Sequence, residues 1–306
     1  MLTVSHLHPQ AIEHALQEGL LTVHVGPYTY QLQSHLPTIL EGITSLYRDF
    51  PLAETEGFID YDISVGPLNL LSRLRSQTHF LFDKKPLFGP IPKNQAYAVL
   101  EWGMNWCVSN HAHEYLNLHA AVVEKDGRAL IMPGLPGAGK STLCAALGLS
   151  GYRILSDEHA MVTPGTNEVT PVCRPVSLKN ESIELIKAFD STAIFGPVSE
   201  DTHKGNVAHM KADLVVNSHD TRPLPSNLML FPRYSREEPQ QLRPRRRTTS
   251  FVLAAYHSFN YSVLGVRGYE AMKSLIDKAN CYDMTYHDIE WAIRTIDQLY
   301  GETDAI

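Results

Sequence analysis

The run "IMPGLPGAGKSTL", from Ile131 to Leu143, constrains this chain more than any other. From Gly134 to Ser141 it satisfies G-x-x-x-x-G-K-[ST]. At that spacing glycines let backbone N–H groups converge on phosphate oxygens, the lysine places a point charge at the outer phosphates, and the hydroxyl ligates magnesium. The apolar run before it reads as a strand and the run after it as a helix, which is the setting such a loop requires. Gly134, Leu135, Pro136, Gly137, Ala138, Gly139, Lys140, Ser141 and Thr142 are therefore the expected nucleotide-binding residues.

A phosphate cradle needs a carboxylate for its metal, and the usual source is the end of a neighbouring buried strand. "RILSDEH" supplies two in succession, Asp157 and Glu158. Adjacent side chains on a strand point to opposite faces, but at a strand end they can splay around one metal and one nucleophile. One carboxylate would bind Mg²⁺ and the other would accept the proton of an attacking hydroxyl. Only the loop helix separates Ser141 from Asp157, a closer succession than in many nucleotide-binding loops.

The surrounding chain supports an α/β fold. "LHAAVVEKDGRALIMPG" reads as two strands joined by a tight turn at Lys125, Asp126 and Gly127, and the second strand feeds the loop. "KSTLCAALGLSG" has helical spacing, with Leu143, Ala146 and Leu147 on one side and Gly151 as its stop. Upstream, "FIDYDISVG" alternates as a strand and "QAYAVLEWGMNWCVSNH" suits a helix. Further on, "NESIELIKAF" reads as a helix and "SNLMLFPRY" as a buried strand. In "TYHDIEWAIRTIDQLYG", Ile289, Ile293, Ile296 and Leu299 lie near one face, with Thr285 and Asp288 in capping-box spacing. The expected organisation is a small N-terminal α/β domain, 1–114, followed by a loop-bearing domain, 115–306.

Composition narrows the classes. With 306 residues, 43% hydrophobic and 19% charged, the chain has the make-up of a folded soluble protein. A formal charge of -7 provides no global basic field, so nucleic acid is not expected as a partner. The N-terminus lacks a basic segment followed by an apolar one, and no stretch is long and apolar enough to span a bilayer, so a cytoplasmic location and no membrane are expected. Cys107, Cys144, Cys173 and Cys281 form no CxxC pair and read as scattered core thiols. "NHAHEY" gathers His111, His113 and Glu114 without a further ligand cluster, and reads as a polar connection.

The segment "LHAAVVEKDGRALIMPGLPGAGKSTLCAALGLSGYRILSDE" resembles the catalytic core of HPr kinase/phosphorylase, and is closer still to the divergent HPr-kinase-related group. In that family a histidine opens a strand, a hairpin leads to the phosphate loop, and a helix ends in G-x-R-x-x-x-D-D. His119, the loop from Gly134 to Ser141, and Gly151, Arg153, Asp157 and Glu158 fall in that order. The loop and the "DEH" of Asp157 to His159 are also similar to phosphoenolpyruvate carboxykinase, so the implied fold is a P-loop core of the HPr kinase/phosphoenolpyruvate carboxykinase type.

The resemblance implies the following roles. Lys140 neutralises phosphate charge, Ser141 and Asp157 hold Mg²⁺, Glu158 stands where the family has a general-base aspartate, and His119 lies near the transferred phosphate. Glutamate in place of aspartate lengthens the base by one methylene, a departure that bears on reverse phosphorolysis and acceptor geometry. The family's E-x-R-G loop is absent, and "RPVSLKN" occupies its place with Arg174 and Lys179, which would clamp phosphates or an acidic acceptor. "THKGNVAHM" adds Lys204 and His209, "FPRY" offers Arg233 as the catalytic arginine, and "LRPRRR" offers Arg243 and Arg246 to an acceptor; a solvated face is the commoner fate of such a charge run. The family assembles as hexamers, so a homo-oligomer is among the expectations.

The expected activity is a kinase using ATP and Mg²⁺ to phosphorylate a hydroxyl, most naturally a serine of a small protein or peptide. A small-molecule hydroxyl kinase on the same core, and a nucleotide-binding regulator or slow ATPase, are the alternatives.

Overall fold

The computed structural model describes residues 2–54, 57–212 and 220–303, and the fold is mixed α/β. It divides into two compact units, Met1–Val108 with Arg174–Asp220, and Ser109–Cys173 with Thr221–Ile306. In this division the chain leaves the second unit after Cys173 and returns to it at Thr221. A discontinuous unit carries no shift in composition at its borders, so nothing in the pattern of residues announces it.

The first unit holds a six-stranded sheet in the order Leu21–Val25, Tyr28–Gln33, Tyr61–Gly66, Gln77–Phe82 and Lys85–Pro86, with Ile91–Pro92 also on Gln77–Phe82. The alternation in "YDISVG" buries Tyr61, Ile63 and Val65. The returning segment contributes a three-stranded sheet, with Gly205–Met210 between Val176–Lys179 and Ser199–Thr202, and the expected helix, Glu181–Phe189. Its anchor is Arg174, 3% exposed, whose Nη1 lies 3.2 Å from Glu101 Oε2 and also donates to the Glu101 carbonyl at 3.0 Å. Nη2 donates to Asn105 Oδ1. Tyr97 and Tyr47 donate their hydroxyls to Glu101 Oε1 at 2.7 and 2.9 Å. Burial raises the Glu101 carboxyl from its ordinary value, opposed by Arg174 and the two tyrosines.

In the second unit the hairpin strands Leu116–Lys125 and Arg128–Pro133 pair antiparallel, and Asp126 and Gly127 both take positive φ. That is the turn geometry whose twist matches flanking strands. The second strand runs parallel to Leu224–Tyr234, which in turn runs parallel to Asn280–Tyr286. Gln241–Pro244 completes that edge, and on the far side come His159–Val162 and Glu168–Thr170. Arg153–Ser156 also pairs with the first hairpin strand. One face is sealed by a buried cluster in which Leu118, Ala120, Val122 and Ile131 meet Ala254, Met272, Leu275 and Ile276. Each fully buried Leu or Ile in such a cluster contributes roughly 1.5–3 kcal/mol. The loop helix, Lys140–Leu149, packs on the first hairpin strand and against Ile289–Thr303.

Two local readings change. "RILSDEH" holds the expected strand, Arg153–Ser156, ending at the acid, but a second strand, His159–Val162, follows at once: both pair with Leu116–Lys125, and the acidic pair forms the bend between them. The last helix is capped by Asp288 alone, whose Oδ1 accepts from the Glu290 and Trp291 amides at 2.9 and 3.2 Å. Thr285 lies inside a strand and takes no part, because its backbone is committed to the sheet.

Candidate active site

The loop follows Pro133 at the C-terminal end of a parallel strand, the place where open α/β sheets receive ligands. Gly137 and Gly139 have φ of 85° and 89°, values that disfavour any side chain. At Gly139 a Cβ would stand 2.4 Å from Tyr286 Oη and 3.2 Å from Tyr234 Cβ. Those tyrosines end the two neighbouring parallel strands and hold the loop: Tyr286 Oη donates to the Gly139 carbonyl at 3.1 Å, and the Tyr234 amide to Ala138 at 3.2 Å. Lys140 is 6% exposed, and its Nζ donates to the Gly134 and Leu135 carbonyls at 2.7 and 3.1 Å. The ammonium is therefore folded back across the loop mouth. Ser141 and Thr142 stand half-buried in the first helical turn.

Across the first hairpin strand lies the acidic bend. Ser156 Oγ accepts from the Glu158 and His159 amides at 3.2 and 2.9 Å, and this turns the chain between its two strand segments. The turn separates the two carboxylates by environment: Asp157 is buried, while the Glu158 side chain is 31% exposed. Burial first, and then the charge of Asp157, push the thiol of Cys144 on the loop helix well up. Glu158 Oε1 lies 3.2 Å from His119 Nε2. The residues on which the reading depends, His119, Lys140, Ser141, Asp157 and Glu158, are thus carried by the hairpin, the loop helix and the bend that share one strand.

Further groups complete the setting that sequence reasoning missed. The His119 amide donates to the His257 carbonyl at 2.7 Å, and the Phe259 ring lies 5.5 Å from His119 and 5.1 Å from His159. His159 is buried, with Nδ1 3.2 Å from Asn117 Oδ1. Ser156 was legible in principle, as a hydroxyl directly before an acidic pair. Tyr234, Tyr286 and His257 arrive from strands and helices far along the chain, and no local pattern marks them.

The remaining candidates scatter. Arg233 is exposed at the end of its strand and paired with Glu238. Arg243 and Arg246 are exposed, while the intervening Arg245 pairs with Asp283 at 2.5 Å and lies over the Phe231 ring. Arg174, Lys179, Lys204 and His209 belong to the first unit. Arg174 is corrected from a phosphate clamp to the cation of a buried ion pair, because its guanidinium is spent on Glu101 and Asn105. His209 is likewise corrected: it is buried, and burial first, then the charges of Arg174 and Lys179, lower it to about 3, so it carries no charge for a phosphate. Lys179 is exposed, and Lys204 lies over the Trp102 ring. A surface hollow of about 620 Å³ in the first unit, beside Arg75, Gln77 and Lys93, contains none of the catalytic candidates.

Among the described residues no group of three or more His, Cys, Asp or Glu side chains is placed to hold a metal. One buried carboxylate and one hydroxyl suit Mg²⁺, which takes one or two carboxylates and completes its shell with substrate phosphates and water. No helix among the described residues is long and apolar enough to cross a membrane.

No family model matches the sequence, and no curated protein matches it. Among solved structures the chain is similar to the Hpr(Ser) kinase/phosphatase from Coxiella burnetii, with 12% sequence identity and a TM-score of 0.31. The match covers 61% of this chain and 98% of that one.

Proposed function

We propose that the chain is a Mg·ATP-dependent kinase of the HPr-kinase type that transfers the γ-phosphoryl group to a hydroxyl, most naturally a serine of a small protein or peptide. The observation that carries this reading is the Glu158–His119 contact of 3.2 Å on the strand that leads, through its hairpin, into the loop of Lys140. A module that only bound nucleotide would have no use for a half-exposed carboxylate held beside a histidine.

In this reading the Gly134–Ser141 backbone and Lys140 bind the phosphates, with Lys140 giving up its loop carbonyls for phosphoryl oxygens. Ser141 and Asp157 are the residues that would hold Mg²⁺, which when bound neutralises charge on the phosphoryl oxygens. Glu158 accepts the acceptor's hydroxyl proton as that oxygen attacks the γ-phosphorus; the bond to the β,γ-bridging oxygen breaks, and ADP leaves with the electron pair. His119 orients Glu158 through their contact and stands near the phosphoryl group in flight. Catalysis of this kind is positioning and charge stabilisation more than covalent chemistry.

Incubating the protein and γ-labelled ATP with fractionated host lysate tests the reading. Label on a polypeptide is the expected result. Label confined to small molecules would move the acceptor to that class, and ATP binding with neither transfer nor hydrolysis would make the chain a regulator.

A further inference from the structure

The structure assigns a further residue to the candidate site: we propose that His257 Nε2 donates a hydrogen bond to the terminal phosphoryl oxygens of a nucleoside triphosphate held by the Gly134–Ser141 loop. This rests on the reading of that loop as the phosphate site.

The placement follows from strand pairing. The hairpin partner covers the first hairpin strand only from Lys125 to Ala120, where Pro133 is the last residue in register before the loop begins. From His119 backwards the same edge is taken by the segment after the helix Arg247–Tyr256. His119 donates its amide to the His257 carbonyl at 2.7 Å, Leu118 bridges to Ser258, and Phe259 donates its amide to Asn117 at 2.9 Å. His257 therefore stands where the loop strand has just left the sheet. Side chains lock the segment in place: Asn260 Oδ1 accepts the Asn117 amide at 2.9 Å, its Nδ2 donates to the Tyr115 carbonyl at 2.8 Å, and Ser258 Oγ donates to the Asn117 carbonyl at 2.9 Å.

Inside this well-bonded segment one polar atom is left over. His257 is 7% exposed, and its Nε2 is buried without a hydrogen-bond partner. Such an atom is costly in a folded protein, and in a native site it calls for an explanation. Its electrostatic surroundings supply one. Burial first, then the charges of His119 and Lys140, hold the imidazole below its ordinary value. The ionisable groups that bear on it are thus the lysine of the phosphate loop and the histidine paired with Glu158. Beside Lys140 a further permanent cation would be repelled, whereas a neutral imidazole in its Nε2–H tautomer adds a directed donor without that cost.

Calorimetric titration with Mg·ADP and with the magnesium complex of a non-hydrolysable β,γ-imido ATP analogue tests the assignment. His257→Ala is expected to weaken the triphosphate analogue about tenfold and leave Mg·ADP within about twofold, while His257→Gln, which keeps a donor near Nε2, recovers most of the loss. Equal weakening toward both nucleotides, no weakening, or failure of Gln to rescue would overturn it. A second measurement on the unmutated chain guards against a variant that does not fold: the ¹⁵N resonance of His257 Nε2 should move with the triphosphate analogue and stay in place with Mg·ADP, and the reverse overturns the proposal. A wild-type chain that binds neither nucleotide would instead sink the underlying reading of the loop.

Discussion

Two contacts of the same length, 3.2 Å, each between a carboxylate and a basic side chain, mark the two units of this molecule. In the first unit the Arg174 and Glu101 side chains are 4% and 3% exposed, and the pair is backed by two tyrosine hydroxyls, an asparagine and a carbonyl. In the second, His119 and Glu158 are 21% and 31% exposed, beside an ammonium that rests on loop carbonyls and an imidazole nitrogen with no partner. The first pair is saturated and structural. The second is partly open to solvent. Distance alone does not separate the two pairs; solvent access does.

The sharpest way to break this contrast is to neutralise each acid or cation in turn. Glu158→Gln is expected to lower phosphoryl transfer by about 10²–10⁴-fold, the usual worth of a general base, with nucleotide affinity and melting temperature close to wild type. Single-turnover transfer and calorimetry together check it, and transfer at the wild-type rate would remove Glu158 as the base. Arg174→Met should do the opposite, destabilising the first unit by about 3–5 kcal/mol, because it leaves Glu101 buried and unpaired. Urea denaturation measures that loss, and an unchanged midpoint would show the pair to be dispensable.

Acid sharpens the same contrast. His209 is buried neutral, with its folded-state value at about 3 against an ordinary 6.5. The unfolded chain therefore takes up a proton before the folded one does. Stability is complete above about pH 6.5 and falls by up to ~1.4 kcal/mol per pH unit toward pH 3 on account of this group. Denaturation midpoints of wild type and His209→Gln across that range should converge as pH falls; parallel curves would remove His209 as the cause. Smallest is a backbone effect at the loop. Gly139→Ala combines a positive φ with a clash against Tyr286 Oη, and should weaken nucleotide binding by about 1–2 kcal/mol. Tyr286→Phe in the same chain relieves the clash but not the φ, so partial recovery is the expected titration result.

Much of the candidate site was legible beforehand because its parts are local. Loop, helix and acidic bend follow one another from Gly134 to Glu158, and phosphate chemistry demands those residue types at those intervals. The Asp-Gly turn, the loop helix and the last helix obey short-range rules of φ, capping and periodicity. Arg174 and His209 misled for the opposite reason: a charged or titratable residue in a loop-like segment looks the same in a sequence whether it faces solvent or a buried partner. Arg174 meets Glu101 only through the chain's return to the first unit.

The sequence by itself determined the α/β class, the geometry of the glycine loop and the acidic pair that follows it, since each depends on residues a turn or a hairpin apart. Tertiary structure decided which charges were spent inside the first unit. It also decided that Tyr234 and Tyr286 hold the loop, and that His257 stands where the loop strand leaves the sheet. Those outcomes depend on pairing between segments distant in the chain, where burial and register, set by the whole fold, govern what a side chain can still do.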